Sequence, residues 1–299
     1  MHPLAHTGRH AFAALIVSNI FLAMGPWMVR LADVGPVAAA FWRLALAIPL
    51  LLFFASRSSA GNLRIGWAMA ATIIVGGLFF AADLAAWHEG ILRTKLANAT
   101  LFGNTSSLLF PIYGFIAARM LPRRLQAVAL GLAVIGAGLL LGSSYELSAQ
   151  HFSGDLLAIL AGVFYTFYLI AVDRARKTMA PMPVLALATL AGTLPLLLFA
   201  HAMGEQVMPD DWTPLILLSL GSQVIGQGLL VYAMGHLSPL VTGLGLLTQP
   251  AVTAVIGWLV YDERLGLIDA FGALLVCAAL VLIRLPDKTR LQPRRRDII

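Results

Sequence analysis

Charge is what this sequence has least of. Only 11% of its 299 residues are Asp, Glu, Lys or Arg, while 60% are hydrophobic and the mean hydropathy is +0.86. Soluble domains carry about 25% charged residues. No water-soluble fold of this size could hide so much apolar surface, so the chain reads as an integral membrane protein. A single cysteine, Cys277, excludes an internal disulfide framework and leaves too little sulfur for a metal site. Its apolar neighbours make it a small buried filler. The chain also has no P-loop and no nucleophile elbow of the GxSxG kind. "HEGIL" at His88 lacks the second histidine of a zinc protease helix, and Asp83 is the only clear intramembrane acid, too few for aspartyl chemistry. Together these absences speak against an enzyme, and no cofactor is expected. The +6 net charge is no nucleic-acid footprint, because the basic residues sit between apolar runs and in the tail "RLPDKTRLQPRRRDII". The N-terminal "MHPLAHTGRH" shows no small-residue cleavage site, so the first apolar stretch reads as a retained helix.

What is present is a series of apolar runs, each near the 20 or so residues that cross a bilayer as a helix. The runs are 10–32, 36–55, 66–88, 95–118, 123–142, 153–172, 182–201, 213–234, 239–260 and 266–285. Breaks such as "ADVGP", "RMLPRR" and "HLSP" leave no room for a soluble domain. The expected fold is therefore an all-α membrane protein of ten transmembrane helices. Basic residues set the orientation. With both termini in the cytoplasm, 15 lysines and arginines fall on the inner side, 4 on the outer side, and Arg43 within the second span. The expected location is the cell inner membrane.

Self-comparison finds a duplication at an offset of about 143 to 146 residues. "PLLLF" occurs at 49–53 and 195–199; Val29 meets Val172, Gly76 meets Gly221, Trp87 meets Tyr232 and Thr105 meets Thr248. Five spans per half is odd, so the second half enters the membrane inverted: residues 1–148 form one five-helix repeat and 149–299 the other, with a basic cytoplasmic tail. Inverted repeats with a site between them are the architecture of secondary transporters.

Two stretches carry a resemblance to a known family: "DLAAWHEGILRTKLANATLFGN", and "WLVYDERL" at the end of the ninth span. With the five-plus-five layout, the chain from about Phe12 to Ile283 resembles the drug/metabolite transporter superfamily, specifically its EamA-type members. Glu263 stands in the place of the family's glutamate. Its first-half equivalent lies near Met120, where many relatives carry an acid, and Ser107 stands where a proline is often found, while Pro250 keeps that proline in the ninth span. The resemblance implies export of small polar metabolites, often amino acids, without ATP. It also leaves a flippase of lipid or lipid-linked precursors as the alternative.

The polar residues within the spans are the candidate site. Asn19, Asn104, Gln223 and Gln249 fall near the midplane; Trp27, Arg43, Asp83 and Asn98 in the outer half; Tyr165, Tyr168 and Gln227 in the inner half. Spans 5 and 10 carry almost nothing polar and read as packing helices, with Gly138 and Gly142 as a small-residue contact. An intramembrane carboxylate costs roughly 2.5–3.5 kcal/mol and needs a cavity or a partner. Asp83 thus admits three readings: an ion pair with Arg43, contact with substrate, or proton carriage. Trp87, one turn on, is either an interfacial anchor or part of the site, and His88 either a strut or a substrate ligand. The amides serve either as helix struts or as cavity lining. Pro26, Pro239 and Pro250 suit bending spans. Expected partners are a small-molecule substrate and the lipid bilayer, with a homodimer left open and no nucleic acid.

Overall fold

A computed structural model describes residues 3–58, 65–94, 96–142, 149–261 and 267–284. Every regular element among the described residues is helical. Six helical runs are long and apolar enough to cross a membrane: Gly8–Leu31, Pro36–Arg57, Trp67–Arg93, Phe152–Arg176, Pro181–Ala202 and Thr213–Met234. Shorter apolar helices include Ser106–Ala118, Arg124–Gly136 and Ala270–Ala279.

Half of the runs are not continuous. The first is α1 (Pro3–Ala23) and α2 (Gly25–Leu31), the second α3 (Pro36–Ala45) and α4 (Ile48–Arg57). Pro26 and Pro49 sit in the first turns of α2 and α4, where their missing N–H costs nothing. Next come α5 (Trp67–Arg93), α6 (Leu96–Gly103), α7 (Ser106–Ala118) and α8 (Arg124–Gly142). The second half opens with α9 (Ala149–Arg176) and α10 (Pro181–Ala202). Then α11 (Thr213–Leu218) and α12 (Gly228–Met234) flank a π-helical stretch, Ser219–Gln227. The described chain closes with α13 (Pro239–Leu246), α14 (Thr248–Tyr261) and α15 (Leu267–Arg284). Helix α5 runs past the expected end of its span at residue 88 to Arg93, so "DLAAWHEGILR" stays helical throughout.

The main core gathers α3, α5, α9, α10 and α12 around Leu44, Phe80, Tyr168, Leu185 and Leu230. Backbones come close where glycines allow it: a side chain on Gly77 would meet the Ala188 carbonyl at 2.4 Å, and Gly192 faces the Gly77 carbonyl in return. Helices α8 and α15 pack on each other at one side, joined through Ala129, Ala133 and Ala279. Two expectations are corrected here. Gly138 is exposed, and a Cβ added to it would meet nothing within 4 Å among the described residues, so it makes no small-residue contact there; the alanines of α8 do so instead. Cys277 is exposed on α15, not buried. Its apolar run faces outward, which in a bilayer is as apolar as a core.

Candidate functional site

The breaks in the helices converge on one place. A cavity of about 50 Å³ lies among the α1, α3, α5 and α9 helices, the π-helical stretch and the breaks after α6 and α13. Its wall includes Leu22, Phe80, Leu84, Gly103 and Ser106 beside the charged and amide groups. That volume holds only a few waters.

Arg43 and Asp83 both reach the cavity and are both nearly buried, at 3% and 8% exposure. Their charges are within attracting range. Among the described residues, however, no ion-pair contact joins them. Among the described residues the Asp83 carboxylate has no hydrogen-bond donor, and the Arg43 guanidinium gives one long bond, from Nε to Gln223 Oε1 at 3.4 Å. The guanidinium also lies over the Phe80 ring, 5.9 Å from its centroid. The direct ion pair is thus absent, and two opposite charges are left facing the cavity.

The amides are held by their neighbours. Gln249 donates from Nε2 to Asn19 Oδ1 at 2.9 Å, and Asn19 in turn donates to the Leu15 and Gly245 carbonyls, both at 2.9 Å. Asn19 is therefore fully buried as a strut between α1 and the α13–α14 break, and Gln249 lines the cavity. Gln227 donates to the Tyr165 hydroxyl at 3.1 Å, which leaves its own Oε1 buried without a partner beside the cavity. Asn104 donates to the Thr100 carbonyl at 2.8 Å and presents its remaining face to the cavity. In the break before α14, Thr248 Oγ1 donates to the Gly245 carbonyl at 2.8 Å; in the break before α7, Thr105 Oγ1 donates to the Phe102 carbonyl at 2.6 Å. Each bond adds a further donor to its carbonyl: Phe102 O also accepts the Thr105 N–H at 3.1 Å, and Gly245 O also accepts from Asn19.

Trp87 lines the cavity with its indole packed on Gly103, where an added Cβ would come within 2.9 Å of Nε1, and it also touches the space beside Gly25.

Other sequence candidates lie elsewhere. Gln223 is buried and donates to Thr189 Oγ1 at 3.0 Å, so it positions Arg43 from behind. Tyr168 is fully buried, stacked on Phe80 at 4.4 Å, with its hydroxyl unpartnered outside the cavity wall. His88 is fully buried with Nδ1 3.0 Å from the Pro36 carbonyl, tying α5 to the start of α3. Trp27 packs with Ile91, Ala99 and Leu218 away from the cavity. The side chain of Asn98 lies outside the described residues, as does Glu263.

Comparison with known proteins now bears on this geometry. Residues 152–285 match the EamA-like transporter family. Over 273 residues the chain is 24% identical to an uncharacterized transporter of Archaeoglobus fulgidus, covering 89% of this chain and 91% of that protein. It is 25% identical over 186 residues to the uncharacterized transporter YdfC of Bacillus subtilis, covering 61% and 58%. A solved crystal structure at 17% identity superposes with a TM-score of 0.73 over 93% of this chain and 97% of that one, which shows the fold. These findings support the drug/metabolite transporter superfamily and a transporter rather than an enzyme. The residues that match this family supply Tyr165, Gln227 and Gln249 to the cavity, and the residues before them supply Arg43, Asp83, Trp87 and Asn104. Sequence reasoning missed Leu22, Phe80, Leu84, Gly103 and Ser106, which carry no charge or amide to mark them in an apolar run.

Proposed function

We propose that the protein is a secondary transporter that exports small polar metabolites, such as amino acids, by alternating access, from ten spans arranged as two inverted five-helix repeats, 1–148 and 149–299, with both termini cytoplasmic. The observation that carries the substrate class is the pair of opposite charges, Arg43 and Asp83, that face the cavity with no ion-pair contact between them among the described residues. A buried guanidinium and a buried carboxylate with free hydrogen-bonding capacity match the two ends of a zwitterion, carboxylate to Arg43 and ammonium to Asp83. The flanking amides, Asn104, Gln227 and Gln249, add neutral donors and acceptors.

Packing supports the repeat. Helix α1 packs on the π-helical stretch and α12, as α9 packs on α5; α13 packs on α7, and α15 on α8. Each contact is what exchange of the two halves would generate. The breaks at Asn104–Thr105 and Leu247–Thr248 are separated by the repeat offset, and both are closed by the same threonine-to-carbonyl bond. Discontinuous helices at equivalent positions of two halves are a mark of a transporter's substrate site. A cavity of about 50 Å³ is too small for an amino acid, so loading requires the halves to part.

The flippase reading has one observation on its side. An apolar crevice of about 500 Å³ lies between α5, α9 and α10, lined by Leu78, Leu160, Phe164 and Phe199. Its only charged lining groups are Glu89 and Arg93, which pair with each other, so it offers no basic headgroup pocket. Counterflow in liposomes decides between the two. Amino acids should exchange against preloaded unlabelled amino acid, and fluorescent phospholipid should not cross faster than in empty liposomes. Lipid movement without amino-acid exchange overturns the proposal.

A further inference from the structure

One end of the bundle is tied shut across its two halves by the segments 32–37 and 203–212. Helix α10 ends at Ala202, and two residues on Gly204 has a φ of +70°, the left-handed conformation that glycine adopts without strain, while Glu205 N–H bonds back to the Ala200 carbonyl at 3.0 Å. This reversal delivers Glu205 to the start of α3. There the residue preceding the helix is Gly35, which has no side chain to cap the first turn. Glu205 supplies the cap instead: Val37 N–H donates to Oε1 at 3.2 Å and Ala38 N–H to Oε2 at 2.7 Å. Its negative charge also suits the positive end of the helix. Any side chain at position 35 would collide with Glu205, at 2.3 Å from its Oε2.

Further bonds flank this cap. Gly35 N–H donates to the Gln206 carbonyl at 3.0 Å, and Trp42 Nε1 donates to the Val207 carbonyl at 2.7 Å. Asp33 Oδ2 accepts from Asp210 N–H at 2.7 Å and from Asp211 N–H at 3.0 Å, and Trp42 meets Trp212 edge to face at 4.8 Å. Those Asp211 and Asp210 bonds hold the Asp33 carboxyl below its ordinary range, so it is charged and accepting at neutral pH. Burial, partly offset by the bonds from Ala38 and Val37, pushes Glu205 up. Every one of these contacts joins residues of the first half to residues of the second. The helices they join, α3 and α10 with α11, lead directly to Arg43 and to the π-helical stretch that holds Gln223 and Gln227.

We infer that Glu205 is a positioning residue for transport: its carboxylate on the first turn of α3 is the centre of a clasp that closes the outer end of the cavity, and outward opening requires that carboxylate to leave. The inference rests on the alternating-access reading, in which this end faces outward. A cavity residue, Ser106→Cys, in a Cys277→Ser background reports opening through its rate of alkylation by a membrane-impermeant maleimide added outside right-side-out vesicles. Removing the cap with Glu205→Ala should raise that rate roughly 2- to 30-fold, the span given by loss of a helix cap. Trp42→Phe, which deletes one bond and keeps the ring, should raise it less, and serves if Glu205→Ala does not fold. Conversely, oxidising an Asp33→Cys/Asp210→Cys pair should slow labelling and block transport, and reductant should restore both. Unchanged labelling in folded Glu205→Ala, a rise seen only from the cytoplasmic side, or full transport by the crosslinked pair overturns the clasp. Absence of counterflow in the wild type would instead defeat the transport reading, and the labelling rates would still decide the clasp.

Discussion

Asp83 and Arg43 show how a single residue's role turns on a distance. A contacting buried pair loses roughly 3–5 kcal/mol when one partner is removed. Here no ion-pair contact joins them, and each keeps unused hydrogen-bonding capacity toward the cavity. Asp83→Asn is therefore expected to melt close to the wild type while exchange falls roughly 10- to 150-fold, the equivalent of one lost charge-assisted hydrogen bond of about 1.5–3 kcal/mol. Arg43→Gln should lose exchange to a similar degree and also release Gln223. Melting temperature and counterflow, measured together on both single variants and the double variant, check this. Large single losses of stability that the double variant recovers would restore the direct pair. The sequence singled out both residues because charge in an apolar run is conspicuous. It left the pair and the cavity contact open, because the distance between α3 and α5 side chains is set by tertiary packing.

The broken helices carry the next scale. Sequence marked Pro26, Pro239 and Pro250 as sites of bending, and these residues do begin helical segments: α2, α13 and α14. The break at Asn104–Thr105 has no proline, and the π-helical stretch Ser219–Gln227 has no breaker other than its glycines. Neither was legible: Asn104 and Thr105 turn back on α6 through bonds to the Thr100 and Phe102 carbonyls with no breaker to mark the place, and in the π-helical stretch the Gly226 carbonyl accepts from Ser18 of α1 at 2.8 Å, a partner that only packing supplies. Gly103, at the end of α6, tests this architecture. A methyl there would press within 2.9 Å of Trp87 Nε1 and push the indole into the cavity. Gly103→Ala should fold, shift the tryptophan emission and weaken exchange, with a rise in apparent KM as cavity space is lost. An unchanged KM would mean that Trp87 yields away from the cavity and does not shape it.

Across the whole molecule, orientation gives the test. Under the proposed inverted repeat, reporter fusions or cysteine labelling should find Arg176 on the cytoplasmic side and Asp210 outside, and Asp210 on the inside would overturn the repeat and the direction of the clasp together. Much of this scale was already in the sequence. Scarcity of charge, with apolar runs of about 20 residues, determined a helical membrane protein, because only helices or closed barrels satisfy backbone groups in lipid. The second stretch flagged by its family resemblance, "WLVYDERL", lies within the half that matches the EamA-like transporter family. What the tertiary structure alone decided was which polar residues share a space. Hydropathy and spacing give a residue's depth in a span but not the face its helix turns to its neighbours. Thus Gln249 reaches the cavity while Gln223 and Asn19, of the same chemistry and the same expected depth, serve as struts behind it. The clasp was invisible for the same reason. Gly35 and Glu205 are 170 residues apart in the chain, and nothing local in either segment says that one will cap the other's helix.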